Sequence, residues 1–241
     1  MGEFLSRNAQ KNYEWAKEFL ARRAPDFRFR WDIYFSLLRE QLSSSRFWLD
    51  AGAGENKIIG QYDSLEFKVG IDSRTPLANP KDFIRARLEA LPFKNGSFDF
   101  ISARYVLEHL EKPELVWAEW RRVLKTGGRV LVQTPNILSY ISFLPRLLPY
   151  RLKRYLIIRF SLVSPKDIFR TYHRFNRPGR FEKLSGFAVE KMILSEDMHL
   201  HFRPLFYLSY FVHMLTRLPG LTNFHSTITA VLKKQDGSLS C

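Results

Sequence analysis

Apolar and polar positions follow two different periods along this chain. Over residues 11–42, Trp15, Phe19, Trp31, Phe35 and Leu38 fall at helical spacing, and Pro25 interrupts them, so two helical pieces are predicted. Ser43-Ser44-Ser45 then punctuates the chain. The period changes at Phe47-Trp48-Leu49, a short apolar run that ends on Asp50-Ala51-Gly52-Ala53-Gly54 and reads as a buried strand entering a glycine turn. A short helix is predicted over 56–63, a second strand over Phe67–Asp72 and a third over Ile84–Leu88. A fourth strand, Phe98–Ser102, follows the turn Lys94-Asn95-Gly96.

Pro113 then opens a helix at its favoured first position, with Glu114 in the positive first turn. Val116, Trp120, Val123 and Leu124 give it one apolar face, and Gly127-Gly128 is read as its end. Val130-Leu131-Val132 is the fifth strand, stopped by Pro135. Beyond it, Phe181–Gly186 reads as a helix end and Ala188–Leu194 as a strand. Pro204–Leu218 reads as an apolar, aromatic helix or cap, and Thr227–Leu232 as a β-branched last strand. Strands alternating with helices over 47–136 predict an α/β fold with a doubly wound, mostly parallel sheet. The expected organisation is an N-terminal helical segment 1–45, a core 46–136, an inserted cap 137–180 and a C-terminal part 181–241.

Composition sharpens this picture in three ways. With 45% apolar residues, 241 residues suffice for one α/β domain with an added cap. The one cysteine, Cys241, excludes an internal disulfide and a multi-cysteine zinc site and fits a reducing, cytoplasmic setting. The opening MGEFLSRNAQKNYEW lacks an apolar stretch of signal-peptide length, and no run reaches the ~20 residues of a membrane span.

The net charge of +14 is unevenly spread. Residues 137–180 hold ten Lys/Arg (Arg146 and Arg151 among them) against Asp167 alone, interleaved with Tyr140, Tyr150, Tyr155, Phe160, Phe169 and Tyr172. The stretch reads either as a solvated basic cap over an ordinary pocket or as the site of an anionic partner, for which there are three candidates. They are an acceptor carrying phosphate or a lipid tail, the anionic inner face of a membrane, and nucleic acid. Nucleic acid is the weakest of the three, because no recognisable RNA-binding module accompanies the core.

The candidate chemistry lies at the strand ends, where open α/β sheets bind ligands. Gly52 and Gly54 let backbone N–H groups approach a ligand, and Asp72 stands where a carboxylate accepts ribose hydroxyls. A nicotinamide dinucleotide site would need a third glycine at position 57, which is Lys. Asp50, two residues before the first glycine, also suits a cationic ligand better than a pyrophosphate.

Six segments then occur in order: Asp50-Ala-Gly-Ala-Gly, Val69-Gly-Ile-Asp72, Leu88-Glu-Ala-Leu-Pro-Phe93, Gly96-Ser-Phe-Asp-Phe-Ile101, Val106-Leu-Glu-His-Leu110 and Leu124-Lys-Thr-Gly-Gly128. Together, over about residues 46–136, they resemble the class I S-adenosylmethionine-dependent methyltransferase family. The branch is that of the ubiquinone/menaquinone C-methyltransferases and many small-molecule O-methyltransferases. The resemblance implies a Rossmann-like seven-stranded sheet with an antiparallel last strand, and S-adenosyl-L-methionine as cofactor. It implies that Asp50, Gly52 and Gly54 line the methionine portion, that Asp72 holds the ribose and that Ser73 or Arg74 flanks the adenine. Leu88 and Glu89 would lie beside the adenine and Arg104 beside the methionine end. The chain departs from the family at Asn56, where glycine is usual, and at Arg87, where an adenine-binding aspartate is usual. Arginine cannot accept that hydrogen bond, so Arg87 favours a second reading, a protein that binds without catalysing.

His109, after the fourth strand, and His173, in Thr171-Tyr-His-Arg-Phe, are the candidate general bases. His173 resembles a histidine that many relatives carry near the acceptor. Asp99 reads as structural, and no metal-binding spacing stands out. The function expected is methyl transfer to a small-molecule or lipid- or glycan-linked acceptor, at oxygen or carbon.

Overall fold

The computed structural model describes residues 7–78, 80–140, 142, 170–200 and 202–235. Two compact units share the chain: Tyr34–Pro135 with Arg170–Ile193 and Ile228–Cys241, and Met1–Ile33 with Asn136–Phe169 and Leu194–Thr227.

Helices α1 (Arg7–Arg23) and α2 (Arg30–Leu42) are the two helical pieces that Pro25 separates. The strands are β1 (Phe47–Ala51), β2 (Phe67–Asp72), β3 (Phe83–Arg85) and β4 (Phe98–Arg104). Helix α3 (Pro113–Val123) precedes β5 (Leu124–Pro135). Then come α4 (Pro178–Glu182), β6 (Phe187–Ser195), α5 (Arg203–Thr216) and β7 (Thr227–Lys234).

The seven strands form one sheet in the order β3-β2-β1-β4-β5-β7-β6. The pairs β1–β2, β1–β4, β2–β3 and β4–β5 are parallel. Lys234, at the end of β7, donates to the carbonyl of Leu124 at the start of β5 (2.7 Å), so β7 runs antiparallel. This is the Rossmann-like doubly wound sheet expected from the sequence. Strand order reverses between β1 and β4, which puts a crevice beyond the carboxyl ends of β1, β2 and β4. The central strands are buried on both faces, with Trp48, Leu49, Ile71, Phe100, Ile101 and Val130 inaccessible to solvent. That burial is why they read as continuous apolar runs.

Four boundaries differ from the sequence expectation. The helix expected over 56–63 is only a 3-10 turn, Ile59–Gln61, because Asn56 adopts φ 56° and turns the chain before a helix can start. The third strand is Phe83–Arg85, not Ile84–Leu88. The fourth continues through Arg104, so Arg104 is its last residue instead of following it. Helix α3 ends at Val123, and Gly127 (φ 72°) bends the start of β5 instead of capping the helix.

Candidate functional site

The first glycine loop is fixed by close packing. Gly52 and Ala53 both donate backbone N–H bonds to the carbonyl of Ile71 (2.7 and 2.9 Å), which ties the tip of β1 to β2. Gly52 adopts φ 76°, and a Cβ there would lie 2.3 Å from a methyl of Val106. Only glycine fits both the backbone conformation and the space. A Cβ at Gly54 would meet nothing within 4 Å, so this side of the loop is open to a ligand.

Asp72 closes the loop from the neighbouring strand. Its Oδ2 accepts the N–H of Gly54 (3.1 Å) and its Oδ1 accepts the N–H of Arg74 (3.0 Å). The Ser73 hydroxyl lies 3.5 Å from Oδ1. A carboxylate offers about four lone-pair sites, so capacity remains for a diol. The structure thus brings Gly52, Gly54, Asp72 and Ser73 to adjacent strand tips.

Asp50 has a different environment. It is buried, its Oδ1 accepts the Ser102 hydroxyl at 2.5 Å, and Ser102 Oγ in turn accepts the Trp48 indole N–H at 2.9 Å. Burial pushes the Asp50 carboxyl up to about 7, opposed by the Ser102 hydrogen bond and by Arg104. Tyr34, from α2, is fully buried, and burial and the Asp50 carboxylate raise its hydroxyl further above the ordinary tyrosine value. Arg104 lies over the rings of Tyr34, Phe35 and Tyr105 at 5.4–5.5 Å and donates to Gln133 at 3.3 Å. Gln133 passes that contact on to Thr229 at 2.9 Å.

The two departures from the family pattern have different surroundings. Asn56 tolerates the left-handed backbone that glycine would otherwise supply, and its amide donates to the carbonyl of Asp82 at 3.0 Å. Gly70 makes room for it, since a Cβ there would stand 1.9 Å from Asn56 Oδ1. Arg87 turns its side chain to solvent (79% exposed) and lies 3.5 Å from Glu89. Leu88 and Glu89, both half-buried, lie on a segment that Arg122 anchors through the carbonyls of Leu91 (3.0 Å) and Phe93 (2.7 Å). Asp99 accepts the N–H groups of Arg46 (3.0 Å) and Phe47 (2.9 Å) and pairs with Lys125 at 2.8 Å. Burial works against its ionisation, but those partners hold its carboxyl below the usual range, and its role is structural.

The two histidines meet through Glu108. The Glu108 carbonyl accepts the N–H groups of Tyr172 (2.8 Å) and His173 (3.1 Å). His109 Nδ1 lies 2.9 Å from the Arg170 carbonyl. A carbonyl only accepts, so Nδ1 carries the hydrogen and the neutral ring's lone pair sits on Nε2. The Glu108 side chain is buried and accepts the Thr134 hydroxyl at 3.0 Å. Asn176 donates to Thr134 Oγ1 and to the carbonyl of Pro135 (3.2 Å). Burial pushes the Glu108 carboxyl up to about 7, opposed by the hydrogen bonds it accepts. A rim after β4, the end of β5 and the strap 170–176 are therefore one connected unit.

Glu108, Thr134 and Asn176, like Tyr34 and Ser102 behind Asp50, escaped the sequence reading. Thr134 and Asn176 stand 26 and 68 positions from Glu108, at no periodic spacing, and Leu107-Glu-His-Leu reads first as a local turn. Of the ten basic residues of 137–180, Arg170, Arg174, Arg177 and Arg180 are described, and all four are exposed. The other six, Arg146, Arg151, Lys153, Arg154, Arg159 and Lys166, lie outside the described residues. Among the described residues no group of three His, Cys, Asp or Glu could hold a metal.

Fold and loop geometry together define a doubly wound α/β domain with an open glycine loop at its switch point, and comparison with known proteins narrows the kind. Residues 49–132 match the family model described as a methyltransferase domain. An uncharacterised protein of Methanocaldococcus jannaschii is 32% identical over 104 residues, 41% of this chain and 48% of that protein. A ubiquinone/menaquinone biosynthesis C-methyltransferase of Pseudoalteromonas translucida is 34% identical over 77 residues, 31% of each chain. The chain thus spans about half, or less, of the length of these relatives. A solved Pyrococcus horikoshii protein shares the fold, with a TM-score of 0.55, 18% identity and coverage of 86% of this chain and 90% of its own. Over residues 49–132, about a third of its length, this chain is similar to the methyltransferase domain family. The cofactor implied by that similarity is S-adenosylmethionine. The open face at Gly54, with the Asp72 carboxylate beside it, fits that molecule's ribose and methionine portions.

Proposed function

We propose that this chain transfers a methyl group from S-adenosylmethionine to an oxygen or carbon atom of a small-molecule or lipid- or glycan-linked acceptor. One observation carries the reading: the Asp72 carboxylate grips the N–H of Gly54 across two adjacent parallel strand tips. That contact pre-organises a diol-binding carboxylate beside an open, side-chain-free loop. Bound there, the cofactor supplies an activated methyl group on a cationic sulfur.

The chain's own residues have three tasks. Asp72 holds the ribose hydroxyls, with Ser73, Leu88 and Glu89 around the adenine. Asp50, backed by Ser102, places partial negative charge near the methionine end, and Arg104 completes that wall. His109 or His173, held together at the Glu108 rim, removes the acceptor's proton. The tautomer set by the Arg170 carbonyl suits His109 Nε2 to that task. The relative named a C-methyltransferase supports carbon as the atom methylated. The ten basic residues of 137–180 support an anionic or lipid-linked acceptor.

Incubation with methyl-tritiated S-adenosylmethionine and a total lipid extract of the expressing cells tests this. Label in the extract that disappears on His109→Ala or His173→Ala, with cofactor affinity unchanged, is the expected result. Undiminished cofactor binding without label in any lipid or aqueous fraction supports the non-catalytic binder instead.

A further inference from the structure

Among the described residues, helix α5 has a buried side and an exposed apolar side. Phe206, Ser209, His213 and Thr216 are buried at three- and four-residue spacing. This inner side packs on α1, with Trp15 4.8 Å from Phe206 and Phe19 5.1 Å from Tyr210 between ring centres. The outer side carries Leu208, Phe211, Met214 and Leu215 at helical spacing, with Leu218 just beyond the helix and with Tyr207 at its edge, where it also meets Trp15 and Phe19 at 5.8 and 5.7 Å between ring centres. All six are exposed, from 41% for Met214 and Leu215 to 59% for Phe211. Isolated exposed apolar residues are ordinary, but six forming one continuous stripe mark an interaction surface.

Charge selects the partner. From residue 198 to 235 the chain contains no Asp or Glu and four Lys/Arg, and the whole chain carries +14. Arg203 and Arg217 stand at the two ends of the helix, Arg203 exposed and 4.8 Å over the Trp15 ring, Arg217 paired with the exposed Asp26 at 2.9 Å. The stripe lies along the outer side of a helix of 14 residues, which is about 21 Å long and too short to cross a hydrocarbon core of ~30 Å. No described helix is long and apolar enough to cross a membrane.

We propose that the outer face of α5 seats this protein on an anionic membrane surface. The helix lies in the plane of the interface, with Phe211 and Leu215 dipping below the headgroups and Arg203 at its N-terminal end meeting lipid phosphates. The inference stands on the helix alone and does not depend on the methyl-transfer reading.

Co-sedimentation of the full chain with vesicles tests it. Vesicles of equal parts phosphatidylglycerol and phosphatidylcholine should pull the protein down, and pure phosphatidylcholine vesicles should do so at least tenfold more weakly (an order-of-magnitude expectation). The double variant Phe211→Ser, Leu215→Ser should lose roughly tenfold or more of the anionic-vesicle affinity. Leu77→Ser, which alters a still more exposed apolar residue outside the helix, should change nothing. Phe211→Trp should keep the binding and add a blue-shifted tryptophan emission when vesicles are present. Equal sedimentation of wild type and double variant, or no preference for anionic vesicles, overturns the proposal. So does a wild-type dimer that the double substitution makes monomeric while neither form binds vesicles, since the face then belongs to a second copy.

Discussion

At Gly52 a single missing methyl group decides whether the cofactor loop can form. Its φ of 76° and the 2.3 Å approach of Val106 mean that Gly52→Ala must strain the backbone and displace a β-branched neighbour. A loss of about 2 kcal/mol or more in urea unfolding is expected, with cofactor binding weakened alongside. Stability within a few tenths of wild type would show that the loop does not depend on this contact. Ser102 is the second residue with a sharp expectation. Ser102→Ala strips a donor from Asp50 and an acceptor from the Trp48 indole, leaving two buried polar groups without that partner. A cost of about 2–4 kcal/mol is expected from the two groups together, read from the urea midpoint. These residues also mark a limit of reading by sequence. Asp50, Gly52, Gly54 and Asp72 are legible because a ligand-binding loop needs those residue types at fixed local offsets. Ser102 is not, because its signature is a pair of contacts with residues 52 and 54 positions away.

Among the elements, the rim after β4 and the strap 170–176 behave as one piece joined through Glu108. Its carboxyl is raised from 4.5 to about 7 by burial, so the folded chain favours the protonated form. The stability that group contributes is full below the unfolded value and is lost as pH rises through about 7. Glu108→Gln keeps the shape and removes the titration. The stability of the variant relative to wild type should therefore improve between about pH 4.5 and 7, by up to ~3 kcal/mol. Urea unfolding across that range measures it, and a pH-independent difference would contradict the burial argument. His213 pulls the other way, since burial and its neighbour His225 lower it to about 4 and cost stability as pH falls below 6.5. Comparing variant with wild type cancels that contribution. The elements themselves were legible where one period ran long, as in β1, β2 and α3. They were misread where backbone conformation overrode the pattern, as at Asn56, which replaces a helix with a turn, and Gly127, which begins a strand where a helix end was expected.

In the molecule as a whole, sheet order and charge carry different information. The strand order places Asp50 and Asp72 on neighbouring parallel strands, and the sequence announced this through motif order alone. The excess positive charge was equally legible, but it was expected to act through 137–180. The exposed stripe of α5 was not foreseen, because its apolar residues read as core until the structure shows which side of the helix is covered. The central claim remains that Asp72 holds a sulfonium nucleoside at the tip of β2. Calorimetric titration of wild type and Asp72→Ala with S-adenosylmethionine tests it most directly. Wild type is expected to bind in the micromolar range and Asp72→Ala at least about tenfold more weakly, a difference of ~1.4 kcal/mol or more. Equal affinity in the two proteins, or no binding heat from wild type, would contradict it.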